Sequence, residues 1–228
     1  MSALPLSGLP HCTVDGAVAR IELQRPERHN ALRPADLQSL LAHLARLNAD
    51  PAVRVIVLAA ETMPGRPVFC AGYDVAGFNA AEHDPTLFER TVDAWASARP
   101  VTVCALSGSV HGGATDLVLA CDLRVAVPDA SWRMPAARLG LHYYPGGLRR
   151  YMACLGPNLA RQAFLADRPL TVAELQQVAL FESVVEPEAL AAAVCGLAAR
   201  VAALAPLAAQ GLKQSLRELA AGDADTAT

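Results

Sequence analysis

Lysine is almost missing from this chain of 228 residues: Lys213 is the only one among 19 basic side chains, and the rest are arginine. So one-sided a choice reads first as coding bias. Positive charge is also not in surplus, because 22 acidic residues leave a net charge near −3. That excludes the electrostatic footprint of a nucleic-acid or anionic-membrane binder. Metal-ligand spacing is lacking as well. Cys12, Cys70, Cys104, Cys121, Cys154 and Cys195 are scattered, with no C-x-x-C pair and no histidine at ligand spacing, so buried reduced thiols are expected rather than a zinc site. No basic segment followed by an apolar run opens the chain, and the longest apolar tract, Leu190 to Leu212, is interrupted by Arg200 and Pro206. Neither an export signal nor a membrane span is read there, and a cytoplasmic protein is expected. No G-x-S-x-G nucleophile elbow, no G-x-G-x-x-G dinucleotide fingerprint and no solenoid-type repeat occurs.

What is present fits one globular domain. The composition is 53% hydrophobic and 18% charged, and the length suffices for a full core. Residues 12–23 read as a hairpin turning at Asp15-Gly16. A helix is expected from Pro34, with Leu37, Leu40, Leu41, Leu44 and Leu47 as its apolar stripe. Val53 to Leu58 reads as a strand buried on both faces. A helix over roughly 86–97, a strand at 101–106, a short helix ending near Cys121 and a strand at 123–127 continue the alternation. This implies right-handed crossovers and stacked sheets with helices outside. Beyond residue 156 the chain is expected to be helical. Thr171 and Glu174 form a capping box there, two Ala/Leu-rich helices meet near Pro206, and the end from Gly222 is expected to fray. The expected division is a core over 1–155 and a helical region of the same domain over 156–228.

Two glycine turns carry the chemistry: Val68-Phe69-Cys70-Ala71-Gly72-Tyr73-Asp74, and Ser107 through Gly112-Gly113 to Asp116. Glycine lets a backbone approach a ligand and aim N–H groups at it, and a helix opening at Gly113 would add its positive end. Taken singly, each is as well read as a tight loop.

The order of motifs resembles the crotonase (enoyl-CoA hydratase/isomerase) superfamily. Arg25-Pro26-Glu27-Arg28-His29-Asn30-Ala31-Leu32 is similar to its early R-P-x-x-x-N-A-L segment, and Phe69 to Val75 to its F-C-A-G-x-D-L turn. His111-Gly112-Gly113 through Ala120-Cys121-Asp122-Leu123-Arg124 is similar to its G-G-G…A-C-D-x-R segment. Pro135 to Leu141 and Gly146 to Arg150 resemble the two blocks that follow. The resemblance implies an α/β fold, a stacked-sheet ββα superhelix with a helical C-terminal region, and an acyl-CoA substrate whose thioester enolate is stabilised. It places the backbone N–H groups of Tyr73 and Gly113 in an oxyanion hole. Arg25, Arg28, Ala31, Leu32, Ala71 and Gly72 fall along the CoA path, and Lys213 falls on a helix whose lysine often reaches a CoA phosphate; Arg28 reads equally as a solvated charge, and Lys213 reads somewhat better as one. No cofactor beyond CoA itself is implied, and the family's homo-oligomer is a trimer or dimer of trimers.

Two departures bear on the reaction. Of the family's two glutamates the first is replaced by Asp116, which reads as an acid/base or as a support for the helix start. The second is replaced by Ala136, so two-carboxylate hydration is disfavoured. Nearby Tyr143 and Tyr144 read either as a specialised catalytic group or as lining of an acyl pocket. The expected function is proton transfer of isomerase or hydratase type by Asp116. The alternatives are decarboxylation of a malonyl-type CoA assisted by Tyr143 or Tyr144, and acyl-CoA binding without catalysis. Set beside the family pattern, the sequence is expected to lack the C-terminal helices that cover the acyl pocket and pack into the trimer, so a more open or differently closed acyl site is expected.

Overall fold

The computed structural model describes residues 8–74 and 84–222. Strand β1 (His11–Asp15) turns at Gly16, whose φ of +54° suits glycine, and pairs antiparallel with β2 (Val18–Leu23). Helix α1 (Pro34–Ala49) buries Leu37, Leu40, Leu44 and Leu47 and carries the chain to β3 (Val55–Ala60), all six residues of which are buried.

From β3 onward one unit is built three times. A long strand in the first sheet is followed by a short strand in a second sheet and then by a helix. The units are β3, β4 (Val68–Cys70) and α2 (Leu87–Ala96); then β5 (Val101–Leu106), β6 (Ser109–His111) and α3 (Gly113–Leu119); then β7 (Leu123–Ala126), β8 (Ser131–Arg133) and α4 (Pro145–Leu165). The chain ends with β9 (Leu170–Thr171), α5 (Val172–Gln176), β10 (Ser183–Val184), α6 (Pro187–Ala202) and α7 (Pro206–Ala221). The larger sheet runs β1-β2-β3-β5-β7-β10 and the smaller β4-β6-β8-β9. Every pairing is parallel except β1 with β2 and β8 with β9.

Most expected elements stand within a residue or two of their places, and the Thr171–Glu174 capping box closes as read. Three features differ. The smaller sheet is made of strands of two or three residues, too short for any periodicity to announce. Helix α4 begins at Pro145 rather than after residue 156, and breaks at Gly156 (φ +70°, ψ 169°), just before Pro157. The region beyond 156 is not purely helical, since β9 joins the smaller sheet and β10 the larger. Val75 and the tail from residue 223 lie outside the described residues. Among the described residues no single helix is long and apolar enough to cross a membrane, and α6 meets α7 at 105°.

Two polar devices position the glycine turns. The buried Asn30 accepts from the Arg25 N–H (2.8 Å) and donates to the carbonyls of Glu61 (2.7 Å) and Phe69 (3.0 Å). It therefore ties the loop before α1 to β4. The buried Arg124 side chain donates to the carbonyls of Val118 (2.8 Å), Leu119 (2.6 Å) and Cys121, closing the far end of α3. Asn30→Ala strands two buried backbone groups, the Arg25 N–H and the Phe69 carbonyl, at roughly 1–3 kcal/mol each when unsatisfied. We expect a clear fall in the urea midpoint with an unchanged m-value; an effect below about 0.5 kcal/mol would mean that Asn30 does not tie the loop down.

Candidate active site

The loop before α1 and the first glycine turn are sewn together by backbone hydrogen bonds: Ala71 N–H to His29 O, Leu32 N–H to Gly72 O, and Asp74 N–H to Leu32 O, each 2.8 Å. Arg28, Ala31 and Leu32 are thereby brought beside Ala71, Gly72 and Tyr73. The second turn meets the first at Gly72. Its φ is +95°, and a Cβ there would lie 2.6 Å from His111 O and 3.1 Å from Gly113 N. Only glycine allows that approach, in both conformation and space. The backbones of Tyr73 and Gly113 are neighbours for this reason, although 40 residues separate them in the chain. Gly113 opens α3, whose first-turn N–H groups lack partners inside the helix.

Asp116, one turn into α3, is fully buried. Its carboxylate holds the Arg150 guanidinium in a two-point pair, Nε to Oδ1 at 2.7 Å and Nη2 to Oδ2 at 3.0 Å. The same Oδ2 accepts from Tyr143 (3.3 Å) and from the Tyr144 hydroxyl. Arg150 also donates through Nη1 to the half-exposed Asp93 (2.8 Å), and its guanidinium lies 5.8 Å from the centre of the Tyr144 ring. Tyr144 is the N-cap of α4, held extended (ψ 154°) ahead of Pro145. Gly147 follows in the first turn. A Cβ there would stand 2.7 Å from Asp116 Oδ2 and closer still to the Tyr143 ring. Gly147 is what lets α4 start directly over the buried carboxylate.

The protonation states follow from this packing. Burial pushes both tyrosine hydroxyls well above the ordinary phenol range, and the adjacent Asp116 charge adds to it. They are neutral donors at any working pH. Burial acts to lower the Arg150 pKa, but its bonds to Asp116 and Asp93 outweigh that and raise it. Every strong donor near Asp116 is therefore aimed at Asp116.

Aromatic rings continue the site. The tip of Phe88 on α2 abuts Gly113, where a Cβ would meet Phe88 Cζ at 2.5 Å. Phe88 packs on Tyr73 (ring centres 5.7 Å) and edge-on to Tyr144 (6.3 Å), and Tyr144 stacks on Tyr143 (4.6 Å). Ala136 is buried and puts a methyl group where the family pattern has a carboxylate.

Two residues expected along the CoA path are engaged elsewhere. Arg25 is 9% exposed; its guanidinium pairs with Asp36 at 2.5 Å and donates to Ala31 O, so it shapes the loop rather than facing solvent. Lys213 donates to Pro100 O at 2.8 Å and pairs with Asp122 at 2.7 Å, with its side chain only 9% exposed. Arg28 alone of the expected cations is exposed. Phe88, Arg150 and Gly147 were not singled out from sequence. Arg150 stood in a recognised block, yet nothing in its spacing shows that it faces Asp116. Among the described residues no three His, Cys, Asp or Glu side chains converge as metal ligands.

A family model described as enoyl-CoA hydratase/isomerase matches residues 13–227, and the chain belongs to that family. It is 36% identical over 203 residues to a Mycobacterium tuberculosis protein named "Probable enoyl-CoA hydratase", covering 89% of this chain and 79% of the relative. Among solved structures it is similar to an enoyl-CoA hydratase subunit of Geobacillus kaustophilus, with a TM-score of 0.83 and 29% identity over 94% of this chain and 84% of that one. It is similar also to a methylmalonyl-CoA decarboxylase, with a TM-score of 0.86 and 25% identity over 100% of this chain and 86% of that one. The crotonase fold, family membership and a hydratase/isomerase-type enzyme acting on acyl-CoA follow.

The two α4 glycines make a matched test of the packing. Ala gains roughly 1 kcal/mol over Gly in a helix, whereas forcing a methyl into a filled core costs about 1–3 kcal/mol. At Gly146 a Cβ would have 3.2 Å to Asp93 Oδ1, so Gly146→Ala should be near neutral, whereas Gly147→Ala should lower stability clearly. Equal urea midpoints for the two variants would contradict the close approach at Gly147.

Proposed function

We propose that the thioester carbonyl of an acyl-CoA sits between the backbone N–H groups of Tyr73 and Gly113, and that these stabilise its enolate. Among the reactions such a site can run, decarboxylation of a malonyl-type CoA suits the surrounding side chains best. The observation that carries this reading is the engagement of Asp116. Its two oxygens accept from Arg150, Tyr143 and Tyr144, which leaves little capacity to take a proton. The tyrosines, held neutral, are not bases either. Loss of carbon dioxide needs no base. The bond between the α-carbon and the carboxylate breaks, its electron pair becomes the enolate, and the α-carbon then takes a proton from water. Two fixed donors act where charge develops, the term that usually dominates such catalysis. CoA enters as part of the substrate, with Arg28, Ala31, Leu32, Ala71 and Gly72 beside it.

A second reading, a proton shift by Asp116, is favoured by the hydratase name of the 36% identical relative. It requires Asp116 to give up part of its pairing with Arg150. Mass spectrometry of methylmalonyl-CoA, crotonyl-CoA, a 3-enoyl-CoA and butyryl-CoA in D₂O separates the two. We expect methylmalonyl-CoA to become propionyl-CoA carrying one deuteron, and Gly113→Pro to cut that rate by about 10²–10³. Hydration of crotonyl-CoA, or a double-bond shift in the 3-enoyl-CoA, with methylmalonyl-CoA untouched would favour the second reading. Binding without conversion of any thioester would sink both and leave a binding protein.

A further inference from the structure

We infer that Arg150 determines the reaction type of this site: it is a positioning residue that keeps Asp116 from acting as a general base. The inference rests on the enolate site proposed above and adds what regulates it.

A carboxylate with no exposed surface, three residues along from the N–H donor proposed at Gly113, is where a proton-abstracting group would be useful. What holds it is its own hydrogen bonding. The guanidinium fork occupies one lone pair on each oxygen, at 2.7 and 3.0 Å, and the two tyrosine hydroxyls take further capacity on Oδ2. A planar fork bound at two points is the arrangement a carboxylate releases least readily. Arg150 is itself anchored from behind, since Nη1 donates to Asp93 on α2 at 2.8 Å. The side chain therefore spans two carboxylates on different helices and cannot swing off one without losing geometry at the other. Structural support alone would ask only for a donor to Oδ1, which a neutral group could supply, since both tyrosine hydroxyls go to Oδ2. Here a guanidinium takes Oδ1 through Nε and Oδ2 through Nη2, closing the oxygen the tyrosines leave open.

Freed from Arg150, Asp116 becomes a competent base. Without the fork, Oδ1 loses its Arg150 Nε–H and has a lone pair open to accept a proton. The groups facing it would then be Tyr143 and Tyr144 from the preceding loop and Tyr151 and Cys154 from α4, with Asp93 on α2 beyond. Of these, Tyr143 and Tyr144 still donate to Oδ2, so the freed lone pair is on Oδ1. In the step itself, Asp116 removes the α-proton of the bound thioester, the C–H electron pair enters the enolate, the carboxyl proton exchanges with solvent, and the deuteron returns to the α-carbon.

The experiment is α-deuterium incorporation into butyryl-CoA in D₂O by the full chain, with butyryl-CoA affinity measured in parallel by calorimetry. The set is wild type, Arg150→Gln, Arg150→Lys and Arg150→Gln combined with Asp116→Asn. We expect slow exchange in wild type and about 10²-fold faster exchange in Arg150→Gln. The double variant should return to the wild-type rate. Arg150→Lys keeps the charge but not the fork, so it should fold more readily and fall between. A purely structural arginine would predict losses throughout, and no loosening of the fold yields a gain that Asp116→Asn cancels. Butyryl-CoA binding with no faster exchange in either folded Arg150 variant would overturn the inference, as would wild-type exchange already as fast as Arg150→Gln. Failure of the wild type to bind butyryl-CoA would instead remove the enolate site, and this inference with it.

Discussion

Everything at this site depends on the seating of a helix too short to hold itself. An α-helix leaves its first four N–H and last four C=O groups without internal partners, and α3 has only seven residues. Its hydrogen bonds are therefore completed from outside. At the far end Arg124 covers the carbonyls of Val118, Leu119 and Cys121. At the near end no side chain caps the N–H groups; there the Thr115 hydroxyl pins the turn, donating to Gly112 O at 2.6 Å and sharing a hydrogen bond with the buried Tyr151. With both ends fixed, Gly113 is delivered against Gly72 and Asp116 is delivered under α4. The A-C-D-x-R block, met in the sequence as a family signature, owes its arginine to this capping.

Asp116 shows how burial narrows what a residue type can do. A carboxylate removed from water must be paired and hydrogen-bonded, or it takes up a proton. Here it is fully satisfied, which suits stability and limits chemistry. Replacing the second family carboxylate by Ala136 carries the same tendency further, because a buried methyl group needs no partner. The side chains gathered on Asp116, Arg150 with Tyr143 and Tyr144, are thus donors that hold a negative charge.

The parts of this fold legible in sequence were those with length on their side. Val55–Ala60 and Val101–Leu106 advertise themselves as buried strands, α1 shows its leucine stripe, and the capping box at Thr171 is local by nature. The smaller sheet is not legible, because a strand such as Ser109–His111 takes its identity from Val68–Cys70 forty residues away. The same holds for the site. Glycine turns could be recognised as places of close approach, but what approaches them could not. That Phe88 lies on Gly113, that Gly147 lies on Asp116, and that Arg150 bridges Asp116 and Asp93 are facts of packing between distant helices. Arg25 and Lys213 show the converse, since a cation in a motif names its neighbourhood without saying whether its charge faces water.

Lys213 has one further consequence. Thioesters acylate amines, and a protein that handles acyl-CoA exposes its own lysines to slow damage by its substrate. In this chain the single ε-ammonium is bonded to Asp122 and Pro100 and largely withdrawn from solvent. The surface offers arginine, which stays protonated and does not react, in place of lysine. Whatever produced so uneven a choice of cation, it leaves the folded protein with no freely exposed side-chain amine to acylate.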